Sequence, residues 1–265
     1  MKFLTLNTHS LMEKEYEKKL NVLVDAIVKF RFDVIALQEI MQPINNCDNN
    51  LQHINVGKIP LKAGNHGANI VEALKRRGYQ YNLMWLGFKK SYDKFDEGLA
   101  MITPYEIEEF KAVTLTPFDD YENWKTRKAI GAKIKGEWFY CVHFGWWDSF
   151  KYEFEQLCNA IETDSQAWIL GDFNSPSNEH GKGYDLVRRS GFYDTYNIAM
   201  VKDSGITVKG NIDGWNKNST DKRIDYIFSN KKVKIDSSIV IFNGTNEDII
   251  SDHFGIILTT GENLK

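Results

Sequence analysis

The chain has 265 residues, 42% hydrophobic and 26% charged, which is enough to bury a sizeable core in one large domain or two small ones. Its formal net charge of −3 excludes a global basic field for nucleic acid, and no apolar run approaches a membrane span. Phe3 to Leu6 reads as a short strand. Leu20, Leu23, Val24, Ile27 and Val28 recur at helical spacing, so an amphipathic helix is expected over 16–31, followed by a strand over 33–38. Strand–helix–strand favours a parallel crossover. The stretch 41–69 reads as a long loop, and a loop of that length in a compact domain points to function. Asn69 to Arg77 is helical in pattern and stops at Gly78.

Strands are expected near 80–86, 99–103, 129–134 and 138–143, the last two joined by a turn at Gly136. Phe150, Phe154, Leu157, Cys158 and Ile161 mark a second amphipathic helix. A strand ending at Asp172, a short helix near 183–190, a polar stretch over 203–221 and strands near 223–228, 238–242 and 254–259 complete the chain. There is no linker or repeat, so residues 1–265 read as one domain. Many strands with few helices suggest two packed sheets flanked by helices.

Three cysteines without a Cys-x-x-Cys spacing suit a reducing compartment, with Cys141 and Cys158 as small buried hydrophobes. The N-terminal apolar run is too short for a signal segment, so a cytoplasmic location is expected. The pairs Arg76-Arg77, Lys89-Lys90, Arg188-Arg189 and Lys231-Lys232 are scattered and read as solvated surface.

Chemistry-bearing residues recur at the ends of apolar strands. Val34-Ile35-Ala36-Leu37 delivers Gln38-Glu39, and Tyr140-Cys141-Val142 delivers His143. Trp168-Ile169-Leu170 delivers Gly171-Asp172-Phe173-Asn174. Arg223-Ile224-Asp225-Tyr226 and Ser251-Asp252-His253 follow. Together with Asn7, this series resembles the endonuclease/exonuclease/phosphatase superfamily over nearly the whole chain. The resemblance implies an α+β fold of four layers, α/β/β/α, with two mixed sheets between helices, as in deoxyribonuclease. It also implies metal-dependent phosphoester hydrolysis by in-line attack of water.

The chemistry requires a cation to neutralise developing charge, a positioned water and protonatable groups near the leaving oxygen. The resemblance assigns the metal, Mg²⁺ or Mn²⁺, to Glu39, Asp252 and Asn7. It gives Asp172 and Asn174 the attacking water and the phosphate, although an Asp-x-Asn after a strand also caps helices. Asp225 and His253 form a dyad in which the carboxylate fixes the tautomer and favours the charged ring. His143 is the second imidazole, supported by Glu97. Around them, His9 shares the sheet face of Asn7 if the strand continues, whereas His66 and His180 carry weaker cases. Arg127 is either a ligand of the phosphate or its surroundings or an exposed strand cation. Trp146 and Trp147 either stack on a flat ligand face or pack a loop, and the aromatic segment 85–95 and Trp215 invite the same question.

Loop sequences at 6–10, 92–100 and 144–147 are similar to a bacterial branch that includes maltose 6'-phosphate phosphatases. This resemblance implies a small phosphorylated sugar as substrate; the lack of a dense Lys/Arg cluster over 41–69 disfavours nucleic acid, and no membrane partner is expected. An abasic-site nuclease and a sphingomyelinase-like phosphodiesterase are the alternatives on the same scaffold.

Overall fold

The computed structural model describes residues 1–210 and 220–261. The first half contains strand β1 (Lys2–Asn7), helix α1 (Tyr16–Phe30), β2 (Val34–Pro43), β3 (Ile54–Asn55), α2 (His66–Arg76), β4 (Asn82–Ser91), β5 (Phe95–Thr103) and β6 (Glu109–Thr114). The second half contains β7 (Lys128–Ile134), β8 (Glu137–His143), α3 (Trp147–Ala160), β9 (Ala167–Asp172), α4 (Gly183–Arg189), β10 (Tyr193–Asp194), α5 (Thr195–Ile198), β11 (Val201–Lys202), β12 (Asp225–Ser229), β13 (Ile235–Ile241) and β14 (Gly255–Thr260). One sheet has eight strands in the order β11-β13-β14-β1-β2-β5-β4-β3, and the other has six in the order β10-β12-β9-β8-β7-β6. Both are mixed: β1–β2 and β8–β9 run parallel between antiparallel neighbours.

Alternation along the strands builds the layers. Phe3, Val34 and Ala36 meet Phe139, Cys141 and Leu170 between the sheets. Their chain neighbours Leu4, Ile35 and Leu37 point the other way, into a core shared with Leu23, Val24 and Ile27 of α1 and Ile70 and Leu74 of α2. On the far side, Tyr140, Val142 and Ile169 pack under Phe150, Phe154 and Leu157 of α3. Three apolar layers thus separate four layers of structure, α/β/β/α. Each large side chain removed from water contributes roughly 1.5–3 kcal/mol.

The crossover β1–α1–β2 is parallel as expected. Other boundaries differ for local reasons. Helix α2 starts earlier than expected because Asn65 caps it, accepting from the Ala68 N–H. Strands β4 and β5 run on into one long hairpin whose tip, Tyr92-Asp93, has φ of 50° and 55°. Strand β6 was not anticipated; it is a sheet edge with an exposed face, so its alternation lacks apolar contrast. The stretch 41–69 is less of a loop than its composition suggests. Strand β3 pairs with β4, and Gln42 bonds Asp96, the Pro60 carbonyl and Asn65, closing the sheet edge. Trp215 lies outside the described residues. Among the described residues, no helix is long and apolar enough to cross a membrane.

Candidate active site

The two sheets end together, and their ends form the floor of a cavity of about 450 Å³. Three neighbouring strands of the six-stranded sheet place His143, Asp172 and Asp225 in one row, since His143 pairs in register with Asp172 and Asp172 with Asp225. Gly171 makes that row possible. A Cβ there would lie 1.9 Å from the Val142 carbonyl oxygen, so β8 and β9 approach this closely only at glycine. From the opposite sheet, β1 ends at Asn7 and β2 delivers Glu39. A register shift between Leu37 and Ile40 bulges β2, and Glu39 adopts φ 52°, a strained conformation that turns its carboxylate toward the cavity. The Ser251 hydroxyl donates to the Asn7 carbonyl at 2.8 Å and so ties the Asp252-His253 turn to the end of β1.

The side chains interlock. Asn7 Nδ2 donates to Glu39 Oε1 at 3.0 Å and to Asp172 Oδ2 at 3.2 Å. His253 Nδ1 meets Asp225 Oδ2 at 3.0 Å, and its Nε2 faces Asp172 Oδ2 at 3.8 Å. His143 Nε2 lies 3.5 Å from Asp172 Oδ2, 4.0 Å from Glu39 Oε1 and 3.3 Å from Asn174 Nδ2. Asn174, with φ 45°, is fixed by its own N–H to Asp172 Oδ1 and by Nδ2 to the Phe144 carbonyl. Strained backbone at Glu39 and Asn174 therefore coincides with the inward-facing polar groups.

The two buried imidazoles differ in charge. Burial opposes the charged form of His253, but the carboxylates of Asp225 and Asp172 outweigh it and hold the ring well above its usual range. His143 is driven well below, by burial and by the positive charges of Arg127 and Lys89. Asp172 is pushed up to about 7, by burial and by Asp225, against the opposing charge of His253. A carboxylate poised there can accept a proton near neutrality. Glu39 is raised by burial and by the negative charges of Glu97 and Asp252, a repulsion that a cation would relieve. The oxygen donors of Glu39, Asp252 and Asn7 suit a hard divalent ion. Acid–imidazole groups with ligand atoms within 4.8 Å of one another occur at Asp172, Asp225 and His253 and at His9, Glu13 and Asp252.

Not every candidate from the sequence reaches the cavity as expected. Glu97 lines it, but its carboxylate binds Lys89 Nζ at 2.8 Å, and His143 meets Asp172, Asn174 and Glu39 instead. Trp146 lines the cavity, whereas Trp147 begins α3 and its ring packs on Phe150, outside the lining. His9 lies at the edge, beyond the end of β1, held by Glu13 at 2.8 Å. Arg127 is a buried wall residue and not an exposed cation. His66 is buried against Tyr16 between α1 and α2, and His180 is exposed. The stretch 41–69 contributes nothing to the lining. Trp85 belongs to the core.

Sequence reasoning offered Arg127, Trp146 and the segment 85–95 as substrate-facing but missed Lys89, Glu122 and Trp124 as lining. Lys89 is buried and not solvated surface. Tyr92 and Asp93 stand on the β4–β5 tip, and Glu122 and Trp124 on the segment before β7. The available signal was the Tyr-Asp pair between two apolar alternating runs, a hairpin tip beside a strand that carries a motif residue.

Comparisons with known proteins bear on the family and the fold. The model of the endonuclease/exonuclease/phosphatase family matches residues 4–253. A family protein from Leptotrichia buccalis is 30% identical, with a TM-score of 0.89 over 99% of this chain and 100% of that one. A mannosyl-6-phosphatase from Bacteroides thetaiotaomicron (16% identity, TM-score 0.66) and an AP endonuclease from Archaeoglobus fulgidus (16%, 0.62) each align over 99% of this chain and 100% of their own, and share the fold. A search of curated proteins returned no match. The row of acids and imidazoles across the ends of two packed sheets and the match along the chain lead to one conclusion: this protein belongs to the endonuclease/exonuclease/phosphatase family.

Proposed function

We propose that the chain is a divalent-metal-dependent phosphomonoesterase acting on a small phosphorylated sugar such as maltose 6'-phosphate. Members of the family are hydrolytic phosphoesterases and generally use divalent metals. The observation that carries the substrate reading is the shape of the site: a polar floor under a cavity of about 450 Å³, with Tyr92, Trp124 and Trp146 around it. Pockets of this size hold small ligands, and aromatic faces stack on sugar rings. Asp93 and Glu122 also line the cavity and pair with Lys90, which offsets the rim cation that a nucleic-acid backbone would meet. The mannosyl-6-phosphatase with the same fold is in keeping with this choice.

In this reading Glu39, Asp252 and the amide oxygen of Asn7 hold Mg²⁺, which neutralises charge on the phosphoryl group when bound. Asp172, oriented by the Asn7 amide, aligns the attacking water and takes its proton. His253, kept charged by Asp225, donates to a phosphoryl oxygen. Neutral His143 and the Asn174 amide bind further oxygens. Water attacks phosphorus directly and no residue is phosphorylated.

The test is a side-by-side assay with Mg²⁺ on maltose 6'-phosphate, plasmid DNA and sphingomyelin. Phosphate release from the sugar, with DNA and lipid untouched, is the expected result. Plasmid nicking without sugar-phosphate turnover removes the proposal.

A further inference from the structure

Two cations stand in the cavity wall, where Lys89 was expected as solvated surface and Arg127 as either a phosphate ligand or an exposed strand cation. Lys89 on β4 and Arg127 just before β7 are 6% and 5% exposed, and both line the cavity. They are tied to one atom: the Trp124 carbonyl oxygen accepts from Arg127 Nη1 at 2.9 Å and from Lys89 Nζ at 3.4 Å. Glu97 pairs with Lys89 at 2.8 Å, and the charge of Glu39 also reaches Lys89. Arg127 has no carboxylate partner among the described residues; its other bond is to the Thr126 carbonyl at 3.1 Å, and its Nε is buried with no hydrogen-bond partner. Glu153, whose charge also reaches both cations, accepts the Gly145 N–H at 2.6 Å, and burial pushes its carboxyl up toward the neutral form.

Once Glu39 is engaged by the metal, as in the reading above, two positive charges face one remaining carboxylate, Glu97. An uncompensated buried charge costs several kcal/mol, and a buried donor left without a partner adds to the cost. The charge cost falls when an anion enters. Lysine has three protons to donate, and two of those on Lys89 are spent on Glu97 and Trp124. His143 feels the field of both cations, so the excess charge points to the place where the phosphoryl group belongs in the reading above.

A phosphodiester carries one charge and two non-bridging oxygens, whereas a terminal phosphomonoester carries up to two charges and three such oxygens. His143, Asn174 and His253 supply donors enough for the two oxygens that both esters share. We propose that Lys89 and Arg127, joined through the Trp124 carbonyl, form a cradle for the third oxygen and second charge, and so select a terminal phosphomonoester over a phosphodiester. The inference rests on the reading of this cavity as a phosphoester site and adds the residue that sets ester class, Lys89. Glu97 is its positioning partner, holding the ammonium against the wall.

Titration calorimetry on the full chain, with Mg²⁺, tests it using inorganic phosphate and dimethyl phosphate as probes. The wild-type protein binds phosphate more tightly than dimethyl phosphate. Lys89→Met weakens phosphate about ten-fold or more, the factor expected for one charge-assisted hydrogen bond, and leaves dimethyl phosphate within about two-fold. Lys89→Arg keeps most of the preference. If Lys89→Met strands Glu97 and fails to fold, Lys89→Met with Glu97→Gln removes both charges and is read in the same way. Equal losses for the two probes, or no loss for either, overturn the cradle. Hydrolysis of p-nitrophenyl phosphate against bis(p-nitrophenyl) phosphate provides a second readout, in which the monoester-to-diester ratio falls in the variant. Failure to hydrolyse any sugar phosphate, with the selective phosphate loss intact, defeats the substrate reading alone. Sugar-phosphate turnover undiminished in Lys89→Met defeats the cradle alone.

Discussion

The floor and the rim of the cavity are built by different means. The floor consists of strand ends locked by register and hydrogen bonds: His143, Asp172 and Asp225 lie in one row of the six-stranded sheet, with Asn7 bridging to Glu39 from the other. The rim consists of segments beyond the strands, with Tyr92 and Trp124 about half exposed at 49% and 58%. Rigid mounts suit groups that must meet a transition state, since small displacements there cost rate. Loops suit groups that only recognise the substrate. The division predicts that floor substitutions damage turnover of every ester, while rim substitutions damage recognition of the sugar.

The largest effects belong to the floor. Asp172→Ala and His253→Ala each lower kcat by about 10³-fold or more, the upper range for a lost general base or charged donor; Asp172→Ala keeps a melting temperature close to wild type, whereas His253→Ala strands the buried Asp225 carboxylate and lowers it. Activity within ten-fold of wild type in either variant would remove the assigned roles.

Acid conditions strike two places at once and must be separated. Protonation of Asp172, poised near 7, lowers turnover as pH falls. His66, outside the cavity lining, is lowered to about 4 by burial. Its folded value lies below its unfolded one, so the unfolded state binds more protons between pH 6.5 and 4. Stability is therefore full above 6.5 and declines as pH falls toward 4, by about 3 kcal/mol in all. His66→Gln keeps an acceptor for the Tyr16 hydroxyl and removes this decline, which urea unfolding at several pH values measures. The acid limb of the rate profile should survive in that variant. Its disappearance would assign the limb to unfolding.

Metal affinity comes next. Glu39→Gln weakens Mg²⁺ binding roughly ten- to a hundred-fold by calorimetry, and a chelator abolishes turnover of the wild-type protein. The smallest effects belong to the rim. Trp124→Ala or Tyr92→Ala raises KM for a sugar phosphate about ten-fold, the value of one aromatic contact, and leaves p-nitrophenyl phosphate kcat nearly unchanged. A fall in kcat for both substrates would erase the distinction between floor and rim.

The same division explains what the sequence could tell. Asp172, Asp225 and His143 were legible because an apolar alternating run announces its own end, and a polar residue placed there is conspicuous. Two packed sheets were legible from many strands with few helices, and the four-layer order from the family resemblance; which of Phe3 and Leu4, or of Ile35 and Ala36, faces which core was not, because both faces are apolar. The bulge at Glu39 was not legible, since nothing in Gln38-Glu39-Ile40 marks a positive φ. Lys89 hid in a Lys-Lys pair, because burial of a lysine depends on a carboxylate supplied by β5 across the hairpin. Trp147 misled because two adjacent tryptophans at a helix start must point in different directions, and only Trp146 meets the cavity. Glu97 misled because its position fitted His143, while Lys89 lies closer across the hairpin.

The most direct test of the central claim is a crystal structure of the protein soaked with Mn²⁺ and phosphate, with the ion located by its anomalous signal. The account predicts an ion between Glu39 and Asp252, and phosphate oxygens against His143, Asn174 and the Asp225-held His253. An ion bound by His9 and Glu13 with Glu39 uninvolved, or phosphate settled away from the strand-end floor, would contradict it.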